Sequence, residues 1–449
     1  MFPVEKLRHE VAIMRYIHDN TSIPVQIIHH WGRQKDSPFE LGPFIIMDSI
    51  EHDTSMYDLL NIPGCPGEER GRLDPNIEED TLQALYEELA SILLQLSKPS
   101  FSGIGSCSRV DDLTWEVAGR PLSLNSNELI RLSSLPQSKL PSYETTFSST
   151  SSYLETLAEI HIAHLTHQRN DAIESADDCR RKFVARILSR KLARERKLTK
   201  RWAAFDTGPF EIWCDDFRPG NVLVNNDHKI TSVIDWEFTY AAPIEFSYAP
   251  PWWLLIEKPH YWPQGLEDWT RVFNHCLQTF LRAMIERENA VGTKEEERLS
   301  GPMRESWESG DFWIAYAARS SMAIDFIYWK KIDQRFFGPT DNVEDAWRQR
   351  LDLLSEEEKD EMEILVAKKV KEMESRVLAW DPDEFTLAHI DIAKTYAAEQ
   401  QKKAEESKEK AEKDNPKSED NEVEVHVIEA KPDEPDVEQI AEKLAELSA

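Results

Sequence analysis

Residues 211–224 read EIWCDDFRPGNVLV. Two apolar runs enclose a polar segment in which Asp215, Asp216, Arg218 and Asn221 stand close together, interrupted by Pro219-Gly220. The flanks predict buried β-structure, and the Pro-Gly pair predicts a tight loop between strands. Such a loop is where a rigid scaffold fixes side chains that ligands can reach. Downstream, Val222–Val224, the turn Asn225-Asn226-Asp227 and Ile230–Ile234 predict a hairpin that delivers Asp235 in the run VIDWE.

These residue types match the needs of phosphoryl transfer from ATP. That chemistry requires a carboxylate to orient or deprotonate the accepting hydroxyl, a cation for the phosphoryl charge, and oxygen ligands for Mg²⁺. Asp216 is the expected base, and Arg218 the expected cation. Asn221, five residues after Asp216, offers a carbonyl oxygen to the metal, and Asp235 offers the main metal carboxylate. A hairpin between Asn221 and Asp235 brings its ends side by side, so both can share one ion. Cys214 reads as a packing residue, and Asp215 as a solvated turn carboxylate. An Asp-x4-Asn spacing alone is a weak signal, since a surface turn can use both side chains to cap its own backbone. The hairpin and the I-D-W-E run at the right distance make it specific.

CDDFRPGN followed by VIDWE resembles the HGDxxxxN … IDW/E pattern of the aminoglycoside phosphotransferase family, and DFRPGN resembles the protein-kinase catalytic loop. EKLRHEVAIMRYI, GPFIIMDSIE, FSGIGS and APPWWLL fit fungal-type members, so the resemblance covers most of residues 3–395. It implies an α+β, protein-kinase-like fold of two lobes. Residues 1–60 would be a partial N-terminal lobe and hinge, 61–397 a mainly helical C-terminal lobe, and 398–449 a charged tail. It further implies that backbone groups near Asp48 and Ile50 bind adenine, that Leu223 and Ile234 floor the base, and that Glu10 is the helix glutamate paired with a phosphate-binding lysine. The implied activity is ATP- and Mg²⁺-dependent phosphorylation of a small-molecule alcohol.

The sequence departs from that pattern in the loop His, replaced by Cys214, and upstream. Glu10 lies nine residues after Met1, leaving no room for a Gly-rich turn and a basic strand residue, and Lys6 and Arg8 on the same helix do not replace them. Two other readings therefore stand beside the enzyme: a catalytically inactive kinase-like binding or scaffold protein, or a coding sequence that extends upstream.

Composition narrows the partners. Of 449 residues, 83 are acidic and 53 basic, a net charge of −30, which argues against nucleic acid. Five scattered cysteines without a CxxC spacing argue against zinc or disulfide frameworks. Neither a signal peptide nor a membrane-spanning run is visible, so the chain reads as soluble and cytoplasmic.

Amphipathic helices are expected over 4–18 and 78–96, strands over Val25–His29 and Phe44–Ile50, an irregular Ser-rich insertion over 99–150, and mostly helix over 151–200 and 265–395. The basic stretch 180–201 reads as a solvated helix face, and 249–262 as aromatic packing. His161, His164 and His167 drift around their helix and do not suggest a metal site. Residues 401–449 hold 16 acidic and 8 Lys residues and no aromatic, predicting disorder, with charged helix near 398–413. A short amphipathic helix at 436–447 is the one candidate for docking a protein partner.

Overall fold

The structure, a computed structural model, describes residues 2–37, 40–66, 69–111, 114–169, 171–375 and 402. The chain divides into two units, one of Met1–Arg33 and Pro43–Trp380, the other of Gln34–Gly42 and Asp381–Ala449. In the second, the described part includes one 3-10 turn, Gln34–Asp36. The expected helices at 398–413 and 436–447 lie outside the described residues, apart from Lys402.

The first unit mixes helices with small antiparallel sheets. Helix α1, Pro3–Asn20, buries Leu7, Val11, Met14 and Ile17 along one stripe, as its spacing requires. Strands β1, Ile28–Gly32, and β2, Phe44–Met47, pair antiparallel. Both differ in extent from the expected strands: Asp48 leaves the pair with its N–H given to Ile27 O at 3.1 Å. β3, Thr54–Ser55, leads into the short helix α2, Met56–Leu60, whose Ser55 and Asp58 form a reciprocal capping box. Helix α3, Glu79–Leu96, buries Leu82, Leu85, Leu89 and Ile92.

The Ser-rich stretch 99–150 is more ordered than its composition predicts. It holds β4, Ser106–Arg109, β5, Trp115–Gly119, and helix α4, Leu124–Leu132. Its serines act as helix N-caps: Ser123 accepts from Ser126 N, and Ser149 from Ser152 N at the start of α5, Thr150–His167. Residues that read as loop-formers are the punctuation between elements.

Helix α6, Ala176–Arg194, packs on α5. Its basic face is not merely solvated. Arg180 grips Glu363 with two 2.7 Å bonds, and Lys191 pairs with Glu358, both from α14 near the end of the described chain. His161 and His164 are buried around Arg186, which pairs with Asp325.

β6, Glu211–Cys214, pairs with β9, Thr239–Ala242. Between them β7, Val222–Val224, and β8, Ile230–Val233, form the expected hairpin, joined by β3 as a third strand. The short helix α7, Ile244–Ser247, follows β9, and α8, Gly265–Ala290, packs on α3. Helices α9, Ser300–Ser309, α10, Asp311–Ala318, α11, Ile324–Ile327, α12, Asp333–Phe337, α13, Ala346–Gln349, and α14, Glu356–Ser375, complete the unit. Its core is strongly aromatic, with Trp236, Trp269, Trp329, Phe273, Phe280 and Phe312 all buried. Among the described residues no helix is long and apolar enough to cross a membrane.

Candidate active site

The polar loop begins where β6 ends. Asp215 continues the ladder by donating its N–H to Phe238 O at 3.1 Å, and the chain then turns through Pro219–Asn221 into β7. Asn221 is buried and donates its amide to Asp216 twice, to the backbone O at 2.9 Å and to Oδ2 at 3.2 Å. Arg218 Nε donates to Asp216 Oδ1 at 2.9 Å. Both carboxylate oxygens of Asp216 are thereby fixed, while its side chain stays 14% exposed.

The hairpin then closes on the loop. Val222 faces Val233, and one step further Ile234 N donates to Asn221 O at 3.0 Å. Asp235 is the next residue, and it has φ +67°. That left-handed conformation is uncommon outside glycine, is tolerated best by Asn and Asp, and concentrates at functional sites. Behind it the buried Trp236 donates Nε1–H to Val233 O at 2.9 Å, pinning the turn.

Helix α1 supplies the opposite wall. Glu10 accepts the backbone N–H of Trp236, yet burial, and then the facing carboxylates of Glu237 and Asp235, push its pKa up to about 7. Asp235 is raised too, by desolvation and by Asp216 and Glu237. Lys6, one turn before Glu10, reaches Glu237 at 2.9 Å. The sequence reading left Lys6 out of this cluster, whereas its ammonium enters it. Four carboxylates, Glu10, Asp216, Asp235 and Glu237, thus face two cations, Lys6 and Arg218.

This donor set fits Mg²⁺. Asn221 uses its amide N–H groups on Asp216, and among the described residues neither its carbonyl oxygen nor the Asp235 carboxylate has a hydrogen-bond partner. Hard oxygen donors in an uncompensated negative cluster are what this cation takes. Among the described residues no three His, Cys, Asp or Glu side chains form a metal cage. Two protein ligands, with phosphates and water for the rest, is the ordinary Mg²⁺ arrangement.

The expected adenine contacts are placed less favourably. The Asp48 N–H is committed to Ile27 O, its carboxylate bonds His29 at 2.5 Å, and Ile50 O lies 3.1 Å from the His52 ring. Leu223 and Ile234 are both half-buried.

Two loop residues differ in their fate. Cys214 is buried and its thiol is pushed up to about 12 by burial, so it is unreactive, as expected. Asp215 is not the solvated turn carboxylate that its sequence position suggested. It accepts from Trp213 Nε1 at 2.7 Å and from Leu124 N, the first residue of α4, at 3.2 Å, with Tyr240 OH at 3.5 Å and Arg319 at 3.9 Å. Burial raises its pKa against the pull of Arg319. Strand alternation was the missed signal: Ile212 and Cys214 face the core, so Trp213 and Asp215 share the other face. Nothing in the sequence pointed to Arg319, which stacks 4.4 Å from the Trp213 ring.

Asp215 also floors a cleft of about 250 Å³, bounded by α4 and by Trp252, Lys258, Tyr261 and Tyr316.

The loop thus fixes one carboxylate beside an amide and a second carboxylate from the hairpin end. The sequence model of the phosphotransferase enzyme family matches residues 3–259, and the chain belongs to that family. A search of curated proteins found no match. Among solved structures, a thermostable mutant of the aminoglycoside phosphotransferase APH(4)-Ia in ternary complex with AMP-PNP and hygromycin B is 15% identical, over 70% of this chain and 81% of that one, with a TM-score of 0.33. The apo form of a thermostable mutant is 14% identical over 73% and 83%, also with a TM-score of 0.33.

Proposed function

We propose that the chain is an ATP- and Mg²⁺-dependent phosphotransferase acting on the hydroxyl of a small-molecule alcohol, working in the reducing cytoplasm, where its five free cysteines stay reduced. The observation that carries this reading is the bond from Ile234 N to Asn221 O, which sets Asp235 beside Asn221 while Asn221 itself holds Asp216.

Asp216 accepts the proton of the acceptor hydroxyl, with its orientation held by Asn221 and Arg218. Arg218 is 44% exposed and keeps the guanidinium nitrogens beyond Nε for phosphoryl oxygens. Asn221 and Asp235 hold Mg²⁺, which when bound neutralises phosphate charge as it is transferred. Leu223 and Ile234 lie under the adenine, and backbone groups of the Asp48–Ile50 segment bind its edge once the Asp48 N–H exchanges partners. Glu10 holds the turn after Asp235 through Trp236.

Asp216→Asn is the test. Loss of a general base costs on the order of 10²–10⁴ in rate, so ADP release should fall by that factor while Mg-ATP still raises the melting temperature. A fully active variant would end this mechanism.

A catalytically silent binding protein is favoured by one observation, the Asp48 N–H already committed to Ile27 O. No thermal shift with Mg-ATP in the wild-type chain would select that reading.

A further inference from the structure

The cleft beside the Asp216 loop holds an ammonium that makes no direct ion pair among the described residues. Its walls are aromatic: Trp252, Tyr261 and Tyr316, with His260 hydrogen-bonded to Tyr316 OH at 3.1 Å. Burial lowers the His260 pKa to about 4, so it brings no charge at neutral pH. Arg319 on the floor is matched by Asp215, and Asp216 is matched by Arg218. Glu128 on α4 has Arg131 at 4.0 Å. Lys258 remains. Its ammonium has no hydrogen bond or ion pair among the described residues, only the Trp252 ring at 5.3 Å.

The position of that ammonium is informative. Lys258 lines the same cleft as Asp215 and Glu128; the carboxylates of Asp216, Glu257 and Glu128 favour its charge, and Arg218 opposes it. It is also desolvated. A half-buried ammonium without a partner is costly, and a bound anion is the group that relieves the cost.

We propose that the acceptor alcohol carries an anionic substituent, a carboxylate or a phosphate ester, which Lys258 binds while the hydroxyl faces Asp216. The inference rests on the phosphotransferase reading of the loop. It runs against the cationic acceptor that a chain of net charge −30 would suggest, because acidity of the whole surface does not set the charge of one cleft. The aromatic walls hold the carbon skeleton, and the ammonium fixes which end points inward.

The experiment measures binding and turnover separately, on the full chain with Mg-ADP or Mg-ATP present. The probes are small alcohols matched in size but not in charge: glycerate and glycerol phosphate as the two anionic arms, glycerol as the neutral one, choline and ethanolamine as the cationic ones. The expected result is tightest calorimetric binding in one anionic arm, which identifies carboxylate or phosphate as the source of the charge. Lys258→Met should weaken that arm about tenfold or more and leave glycerol and Mg-ADP unchanged. Lys258→Arg should recover part of the loss, which a folding defect would not allow.

Preference for the cationic arm, no binding of either anionic arm by the wild-type chain, or an unaffected Lys258→Met would each overturn the proposal. So would a variant that loses Mg-ATP affinity while its anionic binding persists, since Lys258 would then serve the transferred phosphoryl group. Anionic binding that depends on Lys258 without any ADP release from wild type would sink the transferase reading and leave the anion site standing.

Discussion

The two adjacent aspartates of the loop have the same side chain and opposite tasks. Asp216 is held by groups of its own loop and stays reachable, so its amide variant should fold as well as wild type. Asp215 is held from outside the loop, by Trp213, Leu124, Tyr240 and Arg319. Asp215→Ala removes the carboxylate that faces the Arg319 guanidinium, and breaking a buried pair on one side costs about 3–5 kcal/mol. Urea unfolding should therefore show a large loss for Asp215→Ala and almost none for Asp216→Asn, the reverse of the order that the proposed mechanism gives them in turnover. An Asp215→Ala protein of wild-type stability would show that Arg319 finds its charge balance elsewhere. The sequence pointed to Asp216 as the candidate base because its spacing to Asn221 and Asp235 is local. It concealed the other, because Arg319 and Leu124 arrive from distant parts of the chain.

Strands and helices show the same division. The hairpin over β7 and β8, the Glu10 helix and α3 were all legible, since each repeats its apolar residues at its own period. The strands within 99–150 were not, because β5 alternates between half-buried and exposed positions over only a few residues. The burial of the basic helix α6 against α14 was hidden for another reason: ion pairing between two charged faces leaves no periodic trace.

The junction of β6 and α7 carries a testable consequence of this packing. Glu211 is pushed up to about 8 and Glu245 to about 7, chiefly by burial. The folded chain therefore holds these protons more tightly than the unfolded one. Their stabilisation is complete below the ordinary glutamate pKa and is lost as pH rises through about 7 to 8. The urea midpoint should fall between about pH 7 and about pH 8.5, above the range in which His9 and His260, both lowered to about 4 by burial, add stability as pH rises, and Glu211→Gln should flatten that slope. Carboxylates lowered by hydrogen bonds, such as Asp58 and Glu363, titrate below this window and do not mask it. A midpoint that rises with pH over the same range would contradict the burial of both glutamates.

At the scale of the whole molecule, the excess of acidic residues sets a response that no single site predicts. A chain of net charge −30 repels itself when compact. Added salt screens that repulsion, with the Debye length shrinking from about 10 Å at 0.1 M to about 3 Å at 1 M. Salt also weakens exposed ion pairs such as Arg271–Asp268 and Lys359–Glu356, but each of these contributes only about 0–1 kcal/mol. Buried pairs such as Arg350–Asp333 are screened far less. Repulsion acts over many charges at long range, so its relief should outweigh the local losses. The melting temperature should rise as NaCl increases across that range, and KCl should act alike, whereas sulfate would confound the result by strengthening apolar burial. A melting temperature that falls with NaCl would mean that surface ion-pair networks, above all the contact of α6 with α14, hold more of the stability than the net charge removes.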